Sequence, residues 1–348
     1  MLLQENVPLA PLTTLKVGGP ARYLVTARTK TDVSEALEFS YSRNVPLFVL
    51  GGGSNVLIAD TGWPGLVLAI AIAGIQEKGT KDHVVFEVGA GEEWDKFVAC
   101  AVARNCAGIE CLSGIPGTVG GTPVQNVGAY GQEVSETIES VLAMNRITGK
   151  VQEFSNQACG FAYRTSIFNT SGRDTFIILG ATYSLALGGV PHIEYADLKK
   201  YFAGWNLPPT LTDTRDAVRN IRASKGMLIS PHDEDCRSAG SFFKNPVLSD
   251  KQFRELSARA AEKKLQIPAY PALESQRKIS AAWLLEHSGF GRGFDHGRVG
   301  LSRKHALAIV NRASATAADV LALKNLIQER VEDLWGVSLQ PEPVFVGF

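Results

Sequence analysis

Between Cys111 and Gly131 the chain reads CLSGIPGTVGGTPVQNVGAYG, with six glycines, two prolines and no charge in twenty-one positions. Turn pairs as dense as Pro116-Gly117 and Gly120-Gly121 exclude a helix or a regular strand. The segment is also too apolar for an ordinary surface loop. A neutral ribbon of this kind displays backbone N–H groups and lets another backbone or a ligand approach where a Cβ would intrude. It is therefore either a contact for a phosphorylated cofactor or a tight buried crossover. A second ribbon, Gly51-Gly52-Gly53-Ser54-Asn55, has the same character and favours the first reading.

A chain of 348 residues can build two or three domains, each with its own core. Its net charge of zero argues against nucleic acid as a partner. The five cysteines (Cys100, Cys106, Cys111, Cys159 and Cys236) form no CxxC pair and no metal-like cluster with histidine, and read as thiols of a reducing compartment. The six histidines are scattered, HExxH and GxSxG are absent, and no metal is expected. The N-terminus lacks the basic and apolar regions of a signal peptide. The longest apolar run, Leu66 to Ile75, is about half a membrane span. A cytoplasmic protein without membrane insertion is expected.

Residues 13–30 alternate weakly around Gly18-Gly19-Pro20 and predict two short strands. Thr31-Asp32 opens a helix to about Asn44, and Pro46–Leu50 is a buried strand running into the first ribbon. The order is βαβ-like but lacks the GxGxxG spacing of a Rossmann site. Strands are expected at 65–71, 84–88, 138–147, 150–154 and 176–187, with a helix at 92–105. Residues 189–213 form a partly structured linker. The last third changes texture, with amphipathic helices at 214–225, 250–265, 278–287 and 316–335 and strands at 240–243 and 306–310. The final helix carries a capping box, Thr316 with Asp319, and a stop at Gly336. The architecture is α+β.

Three places combine a reactive side chain with an unusual backbone setting. Arg164 lies among aromatic residues in Tyr163-Arg164-Thr-Ser-Ile-Phe168, and a buried arginine needs an anion, from the protein or from a ligand. Ser241 sits between Gly240 and Phe242-Phe243. It is a turn serine, or a proton donor if a charge such as Lys244 or a water assists it. Glu342 is fixed between Pro341 and Pro343, as a rigid surface end or as a placed carboxyl.

Five segments in order (Gly51–Asn55, Gly114–Gly131, Tyr163–Phe168, Gly240–Pro246 and Pro341-Glu342) resemble the UDP-N-acetylenolpyruvoylglucosamine reductase family of peptidoglycan precursor synthesis. The resemblance implies an FAD-binding domain of the vanillyl-alcohol oxidase type made of two α/β subdomains (1–72 and 73–213). It also implies a C-terminal α+β substrate domain (214–348) that closes over a UDP-sugar. FAD would lie on Gly51, Gly52, Gly53, Ser54, Asn55, Ser113, Pro116, Gly117, Thr118, Gly120, Gly121, Gln125, Asn126, Gly128 and Tyr130. NADPH would reduce the flavin, and hydride would pass from flavin N5 to C3 of UDP-N-acetylglucosamine enolpyruvate. Ser241 would protonate C2, with Arg164 and Glu342 stabilising the enediolate. Tyr163, Tyr195, Lys225, Asn245 and Tyr270 would bind the substrate, Tyr195 from the loop that marks one family subtype. An acidic insert, His232-Asp-Glu-Asp235, departs from the family pattern between Lys225 and Ser241. A monomer is expected. The rival readings are a vanillyl-alcohol-type oxidase of another substrate and a UDP-sugar- or flavin-binding protein without turnover.

Overall fold

The computed structural model describes residues 1–230, 232–272 and 276–348. They divide into two compact units. The first holds Met1–Val7, Ala21–Gly53 and Trp63–Ser224, and the second holds Pro8–Pro20, Ser54–Gly62 and Lys225–Phe348. This is a different partition from the three domains expected above. Residues 8–20 and 54–62 belong with the C-terminal third, and the helix Leu211–Ser224 belongs with the first unit.

The first unit has two main sheets and a short pair, Gly128–Ala129 with Gln132–Glu133, among the described residues. In one, the strands run in the order Leu3–Pro8, Pro20–Ala27, Trp63–Ile70, Leu47–Leu50. Pro20–Ala27 and Leu47–Leu50 both lie parallel to Trp63–Ile70. The helix Lys30–Ser42 makes the crossover, burying Val33, Ala36 and Leu37. Its N-cap is Thr29 rather than Thr31, because the Asp32 carboxylate reaches back to Thr29 as the third residue of a capping box. The other sheet is antiparallel. Its order is Val151–Ser155, Ile138–Asn145, Phe176–Leu187, His83–Gly89, Ile75–Gly79, with Cys106–Ala107 also on Phe176–Leu187. The helix Trp94–Ala103 packs Trp94 and Phe97 against Phe86 and Tyr183, rings 5.0–5.9 Å apart. Residues 13–17 are not a strand. Leu15 and Val17 are both buried in the core of the second unit, and Lys16 between them has φ 57°, which no strand allows.

The second unit packs the helices Asp250–Glu262, Ala281–Glu286 and Ala317–Trp335 with small sheets. Val320, Leu323, Ile327 and Val331 form the buried stripe of the long helix, Thr316 with Asp319 caps it, and Gly336 ends it at φ 67°. The C-terminal strand Val344–Val346 lies parallel to Val56–Ile58. Gly240–Phe243 is not a strand. Phe242 and Phe243 are both buried, so the segment shows no in-and-out alternation, and among the described residues it pairs through one isolated bridge, Phe243 with Pro341. Among the described residues, no helix is long and apolar enough to cross a membrane.

Candidate active site

In the first unit the two glycine ribbons meet backbone to backbone. A Cβ on Gly52 would stand 2.6 Å from Gly117 Cα, and one on Gly51 would stand 3.2 Å from Thr118 Oγ1. The longer ribbon is stitched to the antiparallel sheet and its helix by Gly120 N to Ala90 O (2.8 Å), Val119 N to Glu92 O (2.9 Å) and Trp94 N to Gly117 O (3.1 Å). Thr122 Oγ1 meets the Tyr183 hydroxyl at 2.8 Å, and burial pushes that phenol above its ordinary range. A Cβ on Gly120 would strike Ala90 Cβ at 2.7 Å, whereas one on Gly121 would meet nothing within 4 Å.

Several ribbon side chains are spent on the chain around the ribbon. Ser113 is fully buried and its hydroxyl donates to Glu110 O at 2.6 Å. Asn126, at φ 44°, donates to Glu133 Oε2 (2.7 Å) and to Ala162 O (3.2 Å), and accepts from Ser135 N (3.1 Å). Thr118 Oγ1 is the exception, a buried hydroxyl oxygen with no hydrogen-bond partner among the described residues. Pro116, Gly117 and Gln125 are half-buried along the same stretch.

The ribbon's two ends are held by charge. Asp95 accepts from Gly114 N (2.6 Å) and from Arg215 Nη1 and Nη2 (2.6 and 3.0 Å), and it pairs with Arg219. Burial alone would raise the Asp95 pKa, but the Arg215 hydrogen bond, the Gly114 amide and the two guanidinium charges hold it below the usual carboxylate range. Arg222, on the same helix and buried, donates from Nε to Gly114 O at 3.1 Å and hydrogen-bonds Tyr130. Desolvation lowers its pKa, with Tyr130 and Asp95 acting in the opposite sense. Tyr130, at φ 51°, stands edge-on to Tyr195, their rings 5.4 Å apart, and Tyr195 is exposed. Glu110 is fully buried and anchors the neighbouring loop by accepting from His192 N and Gln132 Nε2.

Arg164 joins this group. A tight Ala162–Thr165 bridge forces it to φ 54°, its Nη2 donates to Gly128 O at 2.9 Å, and its guanidinium carbon lies 5.3 Å from the centre of the Tyr163 ring. A non-glycine residue at positive φ is strain held by its surroundings, here by Asn169 Nδ2 donating to Arg164 O at 3.0 Å.

The second unit brings together another set. Glu342 N donates to Phe242 O (2.9 Å), Lys244 N to Gln340 O (2.9 Å), Val344 N to Asn55 O (2.9 Å) and Asn55 Nδ2 to Glu342 O (3.3 Å). These bonds fix the backbones beside Ser241, Glu342 and Asn55 to one another. Ser54 lies on the same loop, its carbonyl accepting from Thr14 Oγ1 at 3.4 Å. Ser241 Oγ lies 3.1 Å from His305 Nε2. The partner of the serine hydroxyl is thus a histidine that nothing in the sequence pattern singled out. Asn245 Oδ1 accepts from Ala281 N at 2.9 Å, the first residue of a helix. Tyr270 is exposed on the strand Ala269–Pro271, opposite Lys278, and Lys225 is half-buried. Among the described residues, no group of three or more His, Cys, Asp or Glu is placed to hold a metal ion.

Comparison with known proteins finds similarity over two stretches and over the whole chain. Residues 21–155 match the FAD binding domain family, and residues 230–346 match the family described as UDP-N-acetylenolpyruvoylglucosamine reductase, C-terminal domain. A UDP-N-acetylenolpyruvoylglucosamine reductase of Thermobifida fusca is 44% identical over 99% of this chain and 98% of its own length. The Streptomyces coelicolor protein of that name is 43% identical over 99% of this chain and 90% of its own length. The crystal structure of UDP-N-acetylenolpyruvylglucosamine reductase from Thermus caldophilus matches with a TM-score of 0.67 and 26% identity, covering 99% of this chain and all of that one.

Proposed function

The chain belongs to the UDP-N-acetylenolpyruvoylglucosamine reductase family and is an FAD-dependent oxidoreductase, and we propose how its residues divide the work. The reaction is reduction of the enolpyruvyl group of UDP-N-acetylglucosamine enolpyruvate to UDP-N-acetylmuramate, a step in peptidoglycan precursor synthesis, with NADPH as the reductant.

The ribbons fit a dinucleotide. Gly52 lets the two ribbons close backbone to backbone, and Thr118 offers a buried hydroxyl oxygen with no hydrogen-bond partner among the described residues. Gly51–Asn55 and Pro116–Gly121 would hold FAD through backbone N–H groups, with Gln125, Gly128 and Tyr130 farther along. Ser113 and Asn126 would act by shaping the ribbon, since their polar atoms bond to the chain. Bound FAD would supply the hydride-transfer chemistry of the reduction.

Arg164 places a permanent positive charge toward the substrate carboxylate, where negative charge grows as C3 is reduced. Glu342, in its protonated form, donates a hydrogen bond to the same enediolate, and the Ser241 hydroxyl gives its proton to C2. One observation carries the pairing of these last two residues, the Glu342 N to Phe242 O bond that ties the backbone following Ser241 to that of Glu342. Tyr195 is proposed to cap the substrate, its exposed ring resting on Tyr130. Lys225 would neutralise the diphosphate, and Tyr163, Asn245 and Tyr270 would line the sugar nucleotide.

The test is turnover of the holoenzyme. NADPH oxidation should require the enolpyruvyl substrate, consume no oxygen and yield the lactyl ether, identified by mass. Oxygen uptake in place of substrate reduction would overturn the reading in favour of an oxidase.

A further inference from the structure

Ser241 Oγ and His305 Nε2 lie 3.1 Å apart. That contact has two chemical senses. If Nε2 accepts, the serine spends its only hydrogen on the ring and presents lone pairs outward, the arrangement that makes a serine a nucleophile. If Nε2 carries the hydrogen and donates, the oxygen's lone pair is satisfied and the hydroxyl hydrogen is left to face another group. Only the second sense is compatible with a serine that protonates carbon. We propose that His305 is a positioning residue for proton transfer, whose Nε2–H donates to Ser241 Oγ and turns the serine's own hydrogen toward the substrate. This rests on the reading of Ser241 as the proton donor.

The surroundings hold His305 in place. The buried Ser302 accepts from Lys304 N (3.0 Å) and from His305 N (3.2 Å), closing the turn that carries the ring. The acidic insert braces that turn from outside. Asp235 Oδ2 accepts from Arg303 N at 3.1 Å, and Asp233 Oδ2 from Lys304 Nζ at 2.6 Å. The segment that departs from the family pattern thus stands next to the turn carrying the serine's partner. In the proposed transfer the Ser241 O–H bond breaks and the C2–H bond forms. The hydrogen bond from Nε2 supports the charge left on Oγ until solvent reprotonates it.

The experiment uses flavin-loaded protein under anaerobic rapid mixing, following reduction by NADPH and reoxidation by the enolpyruvyl substrate separately. His305→Ala should slow reoxidation roughly tenfold and leave reduction unchanged. His305→Gln, whose carboxamide N–H can donate from a similar position, should recover most of the loss, and His305→Phe should not. Independently, 15N NMR of histidine-labelled protein at about pH 8, where an ordinary imidazole is neutral, should find His305 protonated at Nε2. That signal should move in Ser241→Ala. Wild-type reoxidation in His305→Ala, no recovery by glutamine, or hydrogen on Nδ1 would each overturn the proposal. If Ser241→Ala itself reoxidises at the wild-type rate, the assignment of Ser241 fails. If it is slow while His305→Ala is fast, only the role of His305 fails.

Discussion

The ribbon Cys111–Gly131 and the Ser241–Glu342 cluster are opposite ways to build a site. In the ribbon the backbone is the proposed working surface. Ser113, Thr122 and Asn126 spend their polar atoms on the chain itself, and Gly120 and Gly128 stand where a Cβ would collide. In the cluster the backbone is scaffolding. Bonds such as Glu342 N to Phe242 O and Val344 N to Asn55 O fix three segments, and the proposed work falls to a few side chains. Adding an atom should therefore damage the ribbon, and removing one should damage the cluster. The first kind of change alters binding and the second alters rate.

The sharpest form of that contrast is Ser241→Ala. It should leave flavin content and reduction by NADPH intact while slowing reoxidation by substrate roughly 10²-fold or more, measured by rapid mixing. Next comes Gly52→Ala, whose methyl would stand 2.6 Å from Gly117 Cα. Forcing two backbones apart should weaken FAD retention by about 2–3 kcal/mol, seen as flavin lost on gel filtration. A stable, fully flavinated Gly52→Ala protein would break the comparison.

Asp95→Asn probes what holds the ribbon rather than what it holds. It removes the pairing with Arg215 and Arg219 and should cost roughly 1–3 kcal/mol at neutral pH by thermal or denaturant unfolding. The Asp95 pKa is lowered in the folded state. Its stabilising contribution is therefore present above the unfolded carboxylate value of about 4 and is lost as pH falls through the folded value. The variant should show a shallower loss of stability on acidification than the wild type, and equal slopes would contradict the assignment. The smallest effect is expected at Tyr195, exposed and touching Tyr130 by its edge. Tyr195→Ala should raise KM for the sugar nucleotide several-fold, worth about 1 kcal/mol, with kcat nearly unchanged.

What could be read in advance divides along the same line. The ribbons announced themselves because glycine density is a local signal. So did the last helix, whose Thr316–Asp319 box and Gly336 stop appear as expected. Strand Leu3–Pro8 escaped notice because its residues are mostly exposed and show no apolar alternation. Residues 13–17 misled in the opposite way, since Leu15 and Val17 alternate yet serve as core plugs around a left-handed Lys16. The cluster was legible only through family resemblance. Asn55 and Glu342 are 287 residues apart and Ser241 and His305 are 64 apart, and pairings at such range follow from the fold and not from spacing. The arginines of Leu211–Ser224 that grip the ribbon were likewise hidden in what read as an ordinary amphipathic helix.

The most direct measurement is an anaerobic titration of the yellow protein in a spectrophotometer. NADPH should bleach the flavin, and UDP-N-acetylglucosamine enolpyruvate added afterwards should restore the oxidised spectrum. Protein that carries no flavin and takes up none when FAD is added, or flavin that bleaches and stays bleached with the substrate present, would contradict the account.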